Sequence, residues 1–433
     1  MTFDIVAFSL YALPMLGVLI LYLRRHRRRD GHYSGQLQAN VTAGLTDPSS
    51  LHPVFDPKKC LGSGACVNAC PEHAIGIIRG KAHLINPTLC IGHGACLPAC
   101  PHDAIRLVFG TEKRGMDIPQ VNPNFETNVP GIFIAGELGG MGLIRKSVAQ
   151  GKQAIESIRK LKAKPNQLDV AIIGAGPAGM AAGLAAMHHK MRFVLLDQEE
   201  SLGGAVFHYP RNKIVMASTM ELPMVGTVKM GELSKEALLE FWNGVIKKTG
   251  LKVQFRERME KINKVDKGFE VVTSRTTYQA RAVLLSIGRR GTPRKLDVPG
   301  EELPKVVYRL IDPEQYRRQH VLVVGGGDSA LEAALSIAEE PGTTVSLSYR
   351  SEAFGRVKQK NRERLQTAEK AGRIKVLLES KVKNITDKAV TIEHKGNPLT
   401  VQNDAVIVCA GGVLPTPFLK ELGIMVETKH GTE

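Results

Sequence analysis

Aromatic side chains are scarce in this sequence. Phe, Trp and Tyr make up 5% of it, with a single Trp. Proteins that stack bases of single-stranded nucleic acid need more of them. The excess of basic over acidic residues, 58 to 42, is therefore read as facing an anionic membrane leaflet rather than nucleic acid. Cysteine is nearly confined to one stretch: six of the seven lie between Cys60 and Cys100, and Cys409 stands alone. A secreted disulfide scaffold would spread them over a short chain, so the clustering points to metal. No basic residue precedes the first apolar run, which excludes the charged start of a secretory signal peptide. What remains is a chain of 433 residues, 43% hydrophobic and rich in glycine. That suits an α/β protein of two or three domains.

From Ile5 to Leu23 no residue carries a charge, and Arg24-Arg25-His26-Arg27-Arg28-Arg29 follows. The run approaches the ~20 residues that span a bilayer as a helix. It predicts a single-pass anchor over residues 1–29, placed in the inner (cytoplasmic) membrane and contacting lipid. By the positive-inside rule the rest of the chain faces the cytoplasm. The polar, aperiodic stretch 30–54 reads as a linker.

Residues 55–112 contain an internal repeat of about 30 residues. Cys60, Ser63, Cys66 and Cys70-Pro71 recur as Cys90, His93, Cys96 and Cys100-Pro101, and Ala74-Ile75 recurs as Ala104-Ile105. The repeat resembles the bacterial two-cluster ferredoxins, whose run is C-x2-C-x2-C-x3-C-P with the fourth cysteine serving the other cluster. The resemblance implies one iron–sulfur cluster on Cys60, Cys66 and Cys100 and another on Cys90, Cys96 and Cys70. The second cysteine of each run is missing, replaced by Ser63 and His93. A [4Fe–4S] cluster could take those residues or water as its fourth ligand, or the sites could hold [3Fe–4S]. Zinc fits the spacing poorly.

Two strand–glycine turn–helix units follow. The first runs from Val170–Ile173 through Gly174, Gly176 and Gly179, and its next strand ends at Asp197. Gly174 permits the tight turn, Gly176 lets a pyrophosphate approach, Gly179 lets the helix pack, and Asp197 can hydrogen-bond a ribose. The second has Gly325, Gly327 and Ala330 after the strand Val321–Val324. Tyr349-Arg350 stands where an NAD site usually carries an acid. Arg350, Arg356, Lys358, Lys360 and Arg362 could meet the 2′-phosphate of NADP, so NADP(H) is expected, with NAD(H) open.

From about Gly115 onward the chain resembles the thioredoxin-reductase-like pyridine-nucleotide flavoproteins, ferredoxin-NADP reductases and bacillithiol-disulfide-reductase-like proteins among them. Gly203-Gly204, His208-Tyr209-Pro210, Ser286-Ile287-Gly288 and Val298-Pro299-Gly300-Glu301 carry the resemblance. It implies FAD contacts at Gly204 and Gly288. Residues 127–137, ending in Ala135-Gly136-Glu137, resemble the family's last FAD motif, which implies that Gly136 lies at the cofactor and Glu137 binds the ribityl chain. In the family that motif follows the NAD(P) domain; here it precedes the first glycine turn, so a circular permutation is expected.

The expected fold class is α/β, with two Rossmann-like domains, a small α+β ferredoxin domain and one transmembrane helix. The FAD domain is assigned to 113–300 (permuted motif at 113–160), the NAD(P) domain to 301–405, and a return to the FAD domain to 406–433. The expected function is a membrane-anchored oxidoreductase passing electrons between NAD(P)H, FAD and the clusters. Its partner would be a quinone, cytochrome or ferredoxin, and the assembly a homodimer. No general acid or base is required. The rival readings are a low-molecular-weight disulfide reductase and a non-enzymatic membrane redox sensor. No C-x-x-C pair lies between Gly300 and Glu433, which weighs against dithiol exchange.

Overall fold

The computed structural model describes residues 2–48, 51–112, 114–162, 165–211, 213–217, 219–355 and 357–432; the side chains of 2–12 are not described. The chain forms two compact units, 1–111 with 431–433, and 112–430.

In the first unit a helix runs from Thr2 to Thr42. Among the described residues no helix is long and apolar enough to cross a membrane. The expectation over Ile5 to Ala12 falls on side chains outside the described residues. The single-pass anchor, the lipid contact and the inner-membrane placement are thereby corrected. The expected linker is corrected too, because residues 30–42 continue this helix. Its far end packs on the cysteine repeat: the Arg79 amide donates to Asp30 Oδ2 (3.1 Å), Asn40 Nδ2 donates to Ile85 O (2.8 Å), and the Tyr33 ring lies over Gly76.

The repeat folds as its sequence symmetry suggests. Each copy has a cysteine loop, a short helix (Ala65–Asn68, Cys96–Ala99) and a strand opening at Ile75 or Ile105. His52–Phe55 pairs antiparallel with Ile105–Val108, and Ile75–Ile78 with Lys81–Leu84. Ala74, Ile75, Ala104 and Ile105 are buried together with Cys60, Cys66 and Cys96.

The second unit contains two parallel sheets. The first is four-stranded, in the order Ile132–Ile134, Val283–Leu285, Val170–Ile173, Phe193–Leu196. The second is five-stranded, in the order Val306–Val307, Ala405–Val408, His320–Val324, Thr344–Ser348, Ile374–Leu377. Their central strands are unbroken apolar runs because both faces are covered. Ala405–Val408 therefore belongs to the second sheet, and the return expected at 406 begins only after it. Val426–Lys429 pairs antiparallel with Met116–Pro119, so the end of this unit lies beside its beginning. That juxtaposition lets a strand from 132–134, which precedes the glycine turn, occupy the edge of the first sheet.

Candidate functional site

The six clustered cysteines divide between two cavities. Cys60, Cys66 and Cys100 line one, with Ser63 and His102. Cys70, Cys90 and Cys96 line the other, with His93 and Glu72. The loops that present Ser63 and His93 each have left-handed glycines on both sides, Gly62 and Gly64, then Gly92 and Gly94. A Cβ at Gly62 would stand 2.3 Å from Gly80 O, so only glycine lets that loop close. The Ala82 and Ala104 amides donate to Cys60 Sγ and Cys100 Sγ, each at 3.4 Å. Such N–H···S bonds favour thiolate and tune bound metal. Burial, and then the neighbouring Cys60, pushes the Cys66 thiol up to about 11; burial and then Cys90 do the same for Cys96. Without metal these thiols hold their protons, and loading must release them. Among the described residues no three His, Cys, Asp or Glu side chains converge as they would around a single ion.

The first glycine turn sits between Val170–Ile173 and the helix Pro177–His188. Gly174 is left-handed, and a Cβ there would meet Ser286 O at 2.6 Å; one at Gly179 would meet Gly174 O at 1.8 Å. Gly176 faces Gly204, whose Cβ would come within 3.1 Å of Gly176 Cα. The two bare backbones leave a cradle at the helix N-terminus. Asp197 is buried. Its oxygens accept from the Ala175 amide (2.6 Å) and the Glu199 amide (2.9 Å), locking the turn to the strand Phe193–Leu196. Each oxygen keeps a second lone pair for a ribose hydroxyl. Ser286 Oγ donates toward Ile173 O (2.8 Å) and Gly174 O (2.9 Å), tying in the strand Val283–Leu285. Gly288, also left-handed, has open space where a Cβ would be.

Ile132–Ile134 ends at Gly136, whose amide donates to Gln150 Oε1 (2.8 Å) on the helix Ile144–Arg159. Glu137 follows. The chain around it pushes its carboxyl above the ordinary range by desolvation, against the opposing pull of Arg289. Arg289 Nη1 donates to Asp117 O (2.8 Å).

The second turn lies between His320–Val324 and the helix Asp328–Ala338. A Cβ at Gly325 would stand 2.4 Å from Cys409 O and 3.1 Å from the Cβ of Ala330, which is fully buried; Gly327 is open. Tyr349 stacks on Phe354 with centroids 5.3 Å apart and would collide with any side chain at Gly326. Arg350, Lys358 and Lys360 are exposed. Asp328 Oδ1 accepts from the Lys358 amide (3.0 Å) and Asn361 Nδ2 (2.8 Å), which draws this basic loop onto the helix N-terminus. Arg356 lies outside the described residues.

Residues 171–432, more than half of the chain, match the family described as pyridine nucleotide-disulphide oxidoreductase. The chain belongs to this family. Residues 52–101 match a 4Fe-4S dicluster domain. Among relatives, a ferredoxin–NADP reductase of Ignicoccus hospitalis is 28% identical over 60% of this chain and 83% of its own length. Bacilliredoxin reductase of Bacillus subtilis is 26% identical over 60% and 82%. Bacillithiol disulfide reductase from Bacillus cereus superposes with a TM-score of 0.55 at 25% identity, covering 60% of this chain and 83% of that one.

As a pyridine nucleotide-disulphide oxidoreductase joined to a dicluster domain, the chain is a flavin and iron–sulfur oxidoreductase working with a pyridine nucleotide. The residues present fit these groups: a side-chain-free cradle at Gly176 and Gly204 for a pyrophosphate, a second open glycine at Gly327, and two cavities each walled by three thiols. Reasoning from sequence missed Glu72 and His102, which stand two residues after Cys70 and Cys100 and outside the cysteine motif. The signal available was the repeat itself, since both occupy the same place in their copies. It also missed Gln150, Arg289 and the tie at Ser286, none of which has a sequence signature.

Proposed function

We propose that this chain passes electrons between NADP(H), FAD and its two iron–sulfur sites, to or from a separate carrier of the ferredoxin type. The observation that carries this reading is the presence, in one chain, of two three-thiol cavities and two glycine turns at parallel-sheet ends. FAD supplies the exchange between a two-electron nicotinamide and one-electron acceptors. The chain's own residues bind and orient. Gly174, Gly176, Gly179 and Gly204 would admit the FAD pyrophosphate to the N-terminus of Pro177–His188. Asp197 would accept a ribose hydroxyl. Gly136 and Glu137 would meet the ribityl chain, and Gly288 would let the flavin approach the backbone. Gly325, Gly327 and Ala330 would hold the nucleotide pyrophosphate, with Arg350 and its basic loop at the 2′-phosphate. Cys60, Cys66 and Cys100 would hold one cluster, and Cys70, Cys90 and Cys96 the other, with Ser63 and His93 on the cavity walls.

Disulfide reduction is the second reading, favoured by the bacilliredoxin reductase and bacillithiol disulfide reductase relatives. A protein dithiol has no place in it, because Cys409 is the one cysteine outside the cluster module.

Steady-state turnover tests the proposal. NADPH oxidation coupled to ferricyanide and to a bacterial ferredoxin is expected, with no turnover of low-molecular-weight disulfides. Disulfide turnover without ferredoxin reduction favours the second reading, and no turnover with any acceptor favours a sensor. Arg350→Glu should raise the KM for NADPH about tenfold while leaving that for NADH unchanged, the loss of a charge-assisted contact to phosphate.

A further inference from the structure

The two thiol cavities are not equivalent, and the difference lies at the residue that directly follows each Cys-Pro. Glu72 holds that place in one copy and His102 in the other, and each lines the cavity of its own preceding cysteine. Both cavities lack the second cysteine of the ferredoxin run, so each has three thiols and one donor position without a cysteine.

We propose that the cluster held by Cys70, Cys90 and Cys96 takes its fourth protein ligand from the carboxylate of Glu72. This rests on the iron–sulfur reading above. Glu72 Oε1 is buried, yet it finds no hydrogen-bond donor among the described residues. A carboxylate oxygen removed from water and left unpaired is costly, and proteins keep such groups where something binds them. His93 stands where the missing cysteine would, but it already engages another group in the chain. A carboxylate also keeps all four donors anionic, as four thiolates would. Binding forms one Fe–O bond and transfers no electron. The Cys60, Cys66 and Cys100 cavity has Ser63 and His102 in the corresponding places, so its cluster would differ in both ligand and potential.

The test uses the full chain, reconstituted anaerobically with iron and sulfide. Relative to the unaltered chain, Glu72→Ala is expected to lose about one iron per chain and to gain the near-isotropic EPR signal of an oxidised [3Fe–4S] cluster. His93→Ala should change neither. A [3Fe–4S] signal from His93→Ala and none from Glu72→Ala overturns the proposal, and so does silence from both. An independent readout needs no substitution. Pulsed ENDOR of the reduced, 15N-histidine-labelled chain should show no large nitrogen coupling at this cluster, and a large coupling overturns the assignment even if Glu72→Ala fails to fold. A chain that takes up no iron at all overturns this proposal together with the iron–sulfur reading. A loaded chain indifferent to Glu72 overturns this proposal alone.

Discussion

Cys409 ends the strand Ala405–Val408, its carbonyl packed under Gly325. Burial pushes its thiol up to about 12, with Arg290 pulling weakly the other way. The raised value leaves a neutral thiol at every pH below that point, and the thiolate is the reactive form. At pH 8 Cys409 should therefore resist iodoacetamide in the native chain and react only after unfolding, as peptide mass spectrometry can check. Cys409→Ser should change NADPH oxidation by less than about twofold, since packing is all the side chain contributes. Rapid native alkylation, or loss of turnover, would give it a chemical role. Glu301 makes the opposite pH statement. Burial raises its carboxyl, but hydrogen bonds from Tyr308 and from the Leu296 and Asp297 amides outweigh that and hold it below the ordinary range. Its contribution to stability is thus complete above the ordinary value of about 4.3 and is lost as pH falls below it. Glu301→Gln should flatten the fall of Tm between about pH 5 and 3. At this scale the sequence was readable where spacing carries chemistry, as in the six cysteines and the glycines of both turns. It was unreadable where a side chain's partner comes from a distant segment. Asp197 spends its carboxylate partly on the Ala175 amide, and Glu72 lines a cavity with Cys90 and Cys96 of the other repeat copy; neither fact has a local signature.

Helix Ile144–Arg159 packs on helix Pro177–His188 so closely that a Cβ at Gly151 would lie 2.0 Å from Ala178 O. The contact joins the segment carrying Gly136 and Glu137 to the turn carrying Gly176. Gly151→Ala should force the helices apart at a cost of about 1–3 kcal/mol, lower Tm and release FAD on gel filtration. Retention of FAD with an unchanged Tm would mean the two helices do not position the site together. The edge strand Ile132–Ile134 was legible because an apolar run, Ile132-Phe133-Ile134-Ala135, ends there at Gly136-Glu137. The N-terminal helix was misread because an uncharged run was weighed by itself. Those residues open a longer helix that continues through Arg24–Arg29 to Thr42 and spends Asp30, Tyr33 and Asn40 on packing against the cysteine repeat. Periodicity within one segment says nothing of the surface that another segment offers it.

The whole molecule joins a unit with two thiol-lined cavities to a unit with two nucleotide-type turns. Two parallel sheets were legible from their apolar strands and glycine turns. The division between them was less so: Ala405–Val408 closes the second sheet rather than returning to the first, because a parallel strand is buried on both faces and looks alike in either. The account's central claim is that nicotinamide, flavin and iron–sulfur sites are electronically connected within this one chain. An anaerobic titration of the iron-loaded protein with NADPH, followed by absorbance and EPR, tests that most directly. The account predicts that flavin absorbance falls with the first equivalents and that signals of reduced clusters then grow in the same sample. Full cluster loading by iron analysis, with flavin absorbance and cluster signals both unmoved by NADPH or NADH, would contradict it.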